Sequence, residues 1–365
     1  MKAISATICL LASTLQAAWV FEDIPTSIQF TNGFFNLITR ELSTAKLGDH
    51  IAIAYRSKYL YVVQRNGLGW DSTRFDDNGR YPSIALDSLG KPHLSYFRTS
   101  NSKLYYAHTV TAGAGNCGPS LSWACEEVPS TIYGAPIGRS AITVHGTKIH
   151  ILVETPSGNA TYPSMITRLT KTIGAANWDG TVDQVTASKD LVDMRIKTDS
   201  AGSLQVLINS EYLDWYKKSN NWAGIGPLVG NGAFDMTSSG APRICYREFT
   251  SNRLIYARSN GTDYWTETVI DYDIGPQGVC SIAVPEDNGI QLVGYYSPRI
   301  AYYDDASDTL KYATPPMLSN QSWSIQTVAT PSGTRAIGLH LDKQARPTII
   351  FFDSATFKLR LAKWQ

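Results

Sequence analysis

The chain is short of charge. Only 17% of its 365 residues are Asp, Glu, Lys or Arg, and the formal net charge is +1. Polyanion binders carry a basic excess or a basic stripe, so nucleic acid is not an expected partner. No run approaches the ~18 apolar residues that cross a bilayer, so no membrane span is expected. Five cysteines occur, none spaced Cys-x-x-Cys, and His-Glu-x-x-His is absent. Neither a metal nor another cofactor is therefore expected. Gly-x-Ser-x-Gly is missing too, which leaves a Ser-His-Asp triad without support. No helix of normal length, flexible linker or low-complexity segment is evident.

Residues 1–18 read MKAISATICLLASTLQAA. A lysine, an apolar run and then small residues make a secretory signal peptide, cut after Ala17 or Ala18. Residues 19–365 are expected to form one secreted domain. Cys9 leaves with the leader, and four cysteines remain, an even number suited to an oxidising compartment. Four cysteines allow three pairings. Cys117 and Cys125 flank one short loop and are the favoured pair, which would leave Cys245 with Cys280. Asn159-Ala-Thr, Asn260-Gly-Thr and Asn320-Gln-Ser are glycosylation sequons in a eukaryotic source.

What the chain has in abundance is aromatic residues, with 20 Tyr and 9 Trp. Seven tryptophans open runs that tend to end in Val, Ile or Phe: Trp19, Trp70, Trp123, Trp178, Trp222, Trp265 and Trp323. They recur every ~40 to 60 residues, the range of β-propeller blades. Two or three β-type runs precede each. Short first runs are Ser83-Ile84-Ala85-Leu86, Ala141-Ile142-Thr143-Val144, Ser281-Ile282-Ala283-Val284 and Ala336-Ile337-Gly338-Leu339. Second runs often open on proline (Pro92, Pro242, Pro298, Pro347), where a missing N–H costs no ladder bond. Third runs carry Leu-x-Tyr-Ala, at Leu104–Ala107, Leu254–Ala257 and Leu310–Ala313.

Repeating four-strand units predict an all-β fold, a seven-bladed β-propeller of antiparallel blades. The chain ends in a third-type run, Lys358 to Trp364, and Trp19 to Ile24 is an orphan fourth strand. The last blade is thus expected to be closed by the N-terminal strand. Blades are placed at 33–77, 78–132, 133–187, 188–230, 231–273, 274–330, and 331–365 with 19–27. In the sixth, Ile290–Tyr296 and Arg299–Tyr303 compete as second strand.

In such a ring the first strands run away from the upper channel mouth, the usual ligand face. Arg80, Arg139 and Arg335 each stand just before a first strand, and are expected to converge on that mouth. Guanidinium forks hold carboxylates or sulfates bidentately. Tyr81 and Tyr133 lie beside them as stacking platforms. The competing expectation pairs each arginine with an acid of the next blade. Asp193 and Asp235 are assigned equivalent first-strand positions in adjacent blades, where two carboxylates across a cleft would serve glycoside hydrolysis. The six histidines fall towards the lower face, and His50, His93 and His150 share a repeated register, which reads as structural.

The pattern Ser-Ile-Ala-Leu-Asp-Ser-x-Gly-x-Pro-x-x-Ser-Tyr, then Leu-x-Tyr-Ala, then Trp, resembles secreted propeller repeats of the broad sialidase-like and lectin-like kind. The resemblance covers essentially the whole mature chain and implies a fold rather than an activity. Sialidase Asp-boxes have no good match here. The Tyr and Trp richness is similar to that of fungal propeller lectins. The expected function is a secreted, monomeric carbohydrate-interacting protein that recognises acidic glycans at the channel mouth. A glycan-cleaving enzyme, hydrolase or lyase, is the alternative, and a protein-interaction scaffold a further one.

Overall fold

A computed structural model describes residues 18–26, 41–67, 69–129, 138–156, 164–179, 185–187, 193–209, 213–217, 220–225, 229–259, 265–285, 297–316, 322–331, 333–334 and 337–365. Among these residues the regular structure is strand, apart from one 3-10 turn at Pro119–Leu121. The strands form seven four-stranded antiparallel sheets. After β1 (Trp19–Asp23), sheet one holds β2 (Leu42–Leu47), β3 (His50–Arg56), β4 (Leu60–Asn66) and β5 (Gly69–Asp76). Sheet two holds β6 (Gly79–Leu86), β7 (Pro92–Arg98), β8 (Lys103–Thr109) and β9 (Trp123–Glu127). Sheet three holds β10 (Ser140–His145), β11 (Lys148–Pro156), β12 (Ser164–Thr172) and β13 (Val185–Ala187). Sheet four holds β14 (Asp193–Thr198), β15 (Leu204–Asn209), β16 (Leu213–Lys217) and β17 (Asn220–Ile225). Sheet five holds β18 (Val229–Met236), β19 (Pro242–Glu248), β20 (Leu254–Ser259) and β21 (Trp265–Asp271). Sheet six holds β22 (Val279–Ala283), β23 (Arg299–Asp304), β24 (Thr309–Thr314) and β25 (Ser324–Ala329). Sheet seven runs β26 (Ile337–Leu341), β27 (Pro347–Asp353), β28 (Lys358–Trp364), then β1, with Trp19 opposite Trp364.

Pairing decides the two competing strands of sheet six in favour of Arg299–Asp304, with Ile300 opposite Ile282. Residues 286–296, which hold the other candidate, lie outside the described residues. Trp178 also differs from expectation. It precedes β13, and its neighbour Asp179 makes only an isolated bridge to Thr170.

The first strand of each sheet touches the first strands of two other sheets, and following these contacts leads back to the start. Second strands lie between neighbours and are buried almost throughout, as in β11 and β27. That explains their near-continuous apolar runs. Fourth strands such as β5 and β21 are largely exposed and correspondingly polar.

The repeat signature is a packing rule between sheets. The third-strand tyrosine of one sheet meets the tryptophan of the next edge-on. Tyr106 meets Trp178, Tyr256 meets Trp323, and Tyr312 meets Trp19, each with ring centroids 5.4 Å apart. Edge-to-face geometry sets the positive ring edge against the negative face. An acid of the preceding fourth strand holds the same seam. Glu126 accepts from Trp178 Nε1 at 3.0 Å and from Lys171 at 2.7 Å. Glu22 accepts from Trp70 and from Arg65, and Asp271 from Tyr302 and Lys311.

The Asp-Ser-x-Gly turns are equally mechanical. Asp87 Oδ1 accepts the N–H groups of Leu89 and Lys91 at 2.9 and 2.8 Å. Asp199 and Asp342 hold the residues two and four further on in the same way. Such side-chain mimicry of a backbone turn is why aspartate is favoured there. Gly90, at φ 75°, leaves no room for a side chain, because a Cβ would lie 2.6 Å from the His50 ring of sheet one. The exposed His50 ring thus lies against this turn. His93 is a packing residue: its Nδ1 meets the Tyr106 hydroxyl at 2.7 Å and it is 2% exposed.

Both disulfides are formed. Cys117–Cys125 closes its loop, and Cys245–Cys280 joins β19 to β22, stapling sheet five to sheet six.

Candidate functional site

The seven first strands all contribute to one cavity of about 350 Å³. Its upper end is lined by Tyr81, Arg139, Asp193 and Arg195. A second cavity of about 630 Å³ holds the lower end, with His145, Asp199, Asp235 and Asp342 in its wall. Lys46, Thr143, Lys197, Leu339 and His340 line both, and so form the neck between them.

At the upper mouth β6 is bulged. Arg80 pairs with Phe97 and the register resumes only at Ser83 and Ser95. Tyr81, inside the bulge, adopts φ 49°. A left-handed conformation is costly for an aromatic residue, and such outliers gather at binding sites. Gly138 makes the space for this ring, since a Cβ there would stand 3.1 Å from it. The guanidinium carbons of Arg80 and Arg139 lie 5.6 and 5.8 Å from the Tyr81 ring centre. Two of the three arginines singled out by sequence are therefore brought together, on one tyrosine.

Each of the two also reaches a buried acid. Glu41, 1% exposed, has Arg80 Nε and Arg56 Nη1 each at 3.5 Å and accepts the Tyr81 N–H at 3.4 Å. Burial pushes the Glu41 carboxyl up, while the two arginines pull it down. Arg139 Nη1 stands 3.7 Å from Glu154. Neither arginine meets an acid of the next blade: Arg80 pairs with Glu41 of the preceding sheet and Arg139 with Glu154 of its own, and of the two Arg139 lines the upper cavity. Among the described residues, the three guanidiniums of Arg56, Arg80 and Arg139 stand against the two carboxylates of Glu41 and Glu154. Arg335 and Tyr133 lie outside the described residues.

The two aspartates are a correction. Asp193 opens β14, opposite Asn209, whereas Asp235 is next to last in β18, opposite Arg243. Neighbouring first strands run the same way, so the pair is separated by most of a strand, on the order of 15 Å at ~3.3 Å per residue. Asp193 lines only the upper cavity and Asp235 only the lower. Asp193 accepts from Arg195 Nε at 3.2 Å. Asp235 accepts from Lys197 Nζ at 2.6 Å and from the N–H groups of Met236 and Val284. The positions are not equivalent, and the two carboxylates line different cavities.

The neck was not anticipated. Its signal was in the repeat: counting back two residues from the turn aspartate or threonine gives Ala85, Lys197, Asp235 and His340. The motif's small alanine is replaced there by charge or imidazole. His340 Nε2 lies 2.9 Å from Thr44 Oγ1 across the seam between sheets seven and one. Burial, aided by the charges of Lys197 and Lys46, holds its pKa down to about 3, so it is neutral at pH 7.

No family model matches the chain, and no curated protein matches its sequence. Solved β-propeller structures do resemble it. YCF48 bound to D1 peptide superposes with a TM-score of 0.55 at 12% identity, over 95% of this chain and 94% of that one. Puromycin hydrolase gives 0.52 at 10% identity over 92% of this chain, which spans 55% of that enzyme. A fucose-specific lectin from Aleuria aurantia gives 0.45 at 12% identity, over 79% and 95%. At these identities the likeness is one of fold.

Proposed function

We propose that the chain is a secreted seven-bladed β-propeller, closed by β1 on β28, which binds an acidic glycan at the upper channel mouth. The observation that carries this reading is Tyr81, a residue of strained backbone whose ring lines a polar cavity within 6 Å of two guanidinium carbons. An aromatic face suits the apolar face of a sugar, and flanking guanidiniums suit its carboxylate or sulfate. Tyr133 and Arg335 belong to the same proposed rim. Asp193, in the wall of that cavity, is assigned to sugar hydroxyls. A paired-carboxylate hydrolase is not proposed, because Asp235 lines the other cavity. The two disulfides support an oxidising compartment and hence the leader assigned to residues 1–18. The protein is proposed to act as a monomer without a cofactor.

A glycan array of acidic and neutral sugars, followed by product analysis on the hits, tests the reading. Acidic glycans are expected to bind without turnover. Tyr81→Ala and Arg139→Ala are each expected to weaken binding about tenfold, the scale of one charge-assisted contact. Unchanged binding in both variants, or product formed from a bound glycan, overturns it.

A further inference from the structure

The neck of the channel presents cationic and imidazole groups inward from three strands. Lys46 comes from β2, Lys197 from β14 and His340 from β26, and all three line both cavities. Lys197 has a counter-ion, Asp235. Lys46 has none within ion-pair distance among the described residues, although it is partly buried. Desolvation disfavours its charged form, Lys363 and Arg346 add to that, and Asp342 and Asp49 act the other way. A partly buried ammonium without a partner is costly, and an anion in hydrogen-bond reach removes that cost. His340, whose Nε2 meets Thr44 Oγ1, lines the neck beside them.

We infer that the neck is a binding site for a small oxyanion, a carboxylate or sulfate group, held by Lys46 with Lys197 and His340 beside it. The position lies below the Tyr81 mouth and is distinct from it. Either a free inorganic anion or the acidic end of a sugar would supply the group. The lower cavity, walled by Asp199, Asp235 and Asp342, has room for the hydroxylated remainder of a sugar acid.

Calorimetric titration of the full mature chain at low ionic strength, with sulfate, D-glucuronate and uncharged glucose, tests the inference. Both anions are expected to give a saturable binding event that depends on Lys46 and that glucose does not give. Lys46→Met, which keeps the side chain's length and removes its charge, is expected to weaken them about tenfold. Asp235→Asn frees Lys197 and is expected to strengthen them, an effect that damage to the fold would not produce. Glucuronate held tighter than sulfate assigns the site to acidic sugars, and equal affinity assigns it to the oxyanion alone. Absence of saturable binding, or wild-type affinity in both Lys46→Met and Asp235→Asn, overturns the inference. The upper mouth is read separately. Binding lost in Arg139→Ala but intact in Lys46→Met removes the neck site and leaves the glycan reading standing. The reverse pattern does the opposite.

Discussion

Gly338 sits where sheet seven presses on sheet one. A Cβ placed on it would lie 2.2 Å from Thr44 Oγ1 and 3.0 Å from Thr44 Cβ. The same threonine meets His340, so one missing side chain lets sheet seven close on sheet one. Gly338→Ala must rotate Thr44 or part the sheets. It is expected to cost about 1–3 kcal/mol, the scale of overpacking, seen as a lower urea midpoint at unchanged slope. Gly69→Ala, which meets nothing within 4 Å, is the matched control and is expected to stay within about 0.5 kcal/mol.

Single residues also show where sequence reading stopped. Arg80, Tyr81 and Arg139 were legible because each stands at a first-strand entrance, and the chain direction alone gives the mouth. Asp193 and Asp235 were misplaced because matching strands by type leaves their register open. In a strand, side chains alternate, and position along it decides which end of the channel a group reaches. The turn aspartates would have fixed that register. Asp199 lies six residues after Asp193, and Thr237 two after Asp235, so the two candidates never shared a level.

At the scale of elements, the third-strand tyrosine and the tryptophan of the next sheet act as one joint. Trp178 is 8% exposed, packs on Tyr106 and donates to Glu126. Trp178→Ala is expected to cost about 3–5 kcal/mol in a denaturant titration, as for other buried aromatics. Trp178→Phe, which keeps a ring and loses the Nε1 donor, is expected to cost less. These joints were legible in outline, since identical packing demands identical residues and therefore leaves a repeat. Their acids were not. Glu22, Glu126 and Asp271 are half-buried on fourth strands, and the neighbouring sheet supplies the partners described above. The joint also outlasts its strand: Trp178 packs as expected although the regular fourth strand of its sheet begins later, at Val185.

For the molecule as a whole, buried histidines set an acid limit. Burial holds the pKa of His93 down to about 4, against the upward pull of Asp87, and that of His340 down to about 3, while His108 is lowered as well. An unfolded histidine titrates near 6.5. Below that value the unfolded chain takes up protons that the folded chain refuses. Stability is therefore full above about pH 6.5 and falls as the pH drops towards 4. His93 alone contributes up to about 3 kcal/mol of this loss. Glu41, raised by burial, works in the opposite direction within its own range. The urea midpoint is expected to be clearly lower at pH 5 than at pH 7.5, and the difference to shrink in His93→Gln. A pH-independent midpoint would show that these imidazoles protonate freely in the folded chain.

One small contact recurs around the ring. Ser43 Oγ accepts the N–H of Ile84, Ser83 Oγ that of Ile142, and Ser281 Oγ that of Leu339. Each hydroxyl caps a free inner edge of the following sheet, the edge on which another strand would otherwise dock. Dynamically, each is also a latch. Each capped amide proton is expected to exchange faster when its two sheets part, so Ile84, Ile142 and Leu339 report on three separate seams. A ring that opens at one weak seam and a ring that loosens everywhere at once would show different clocks at these three amides.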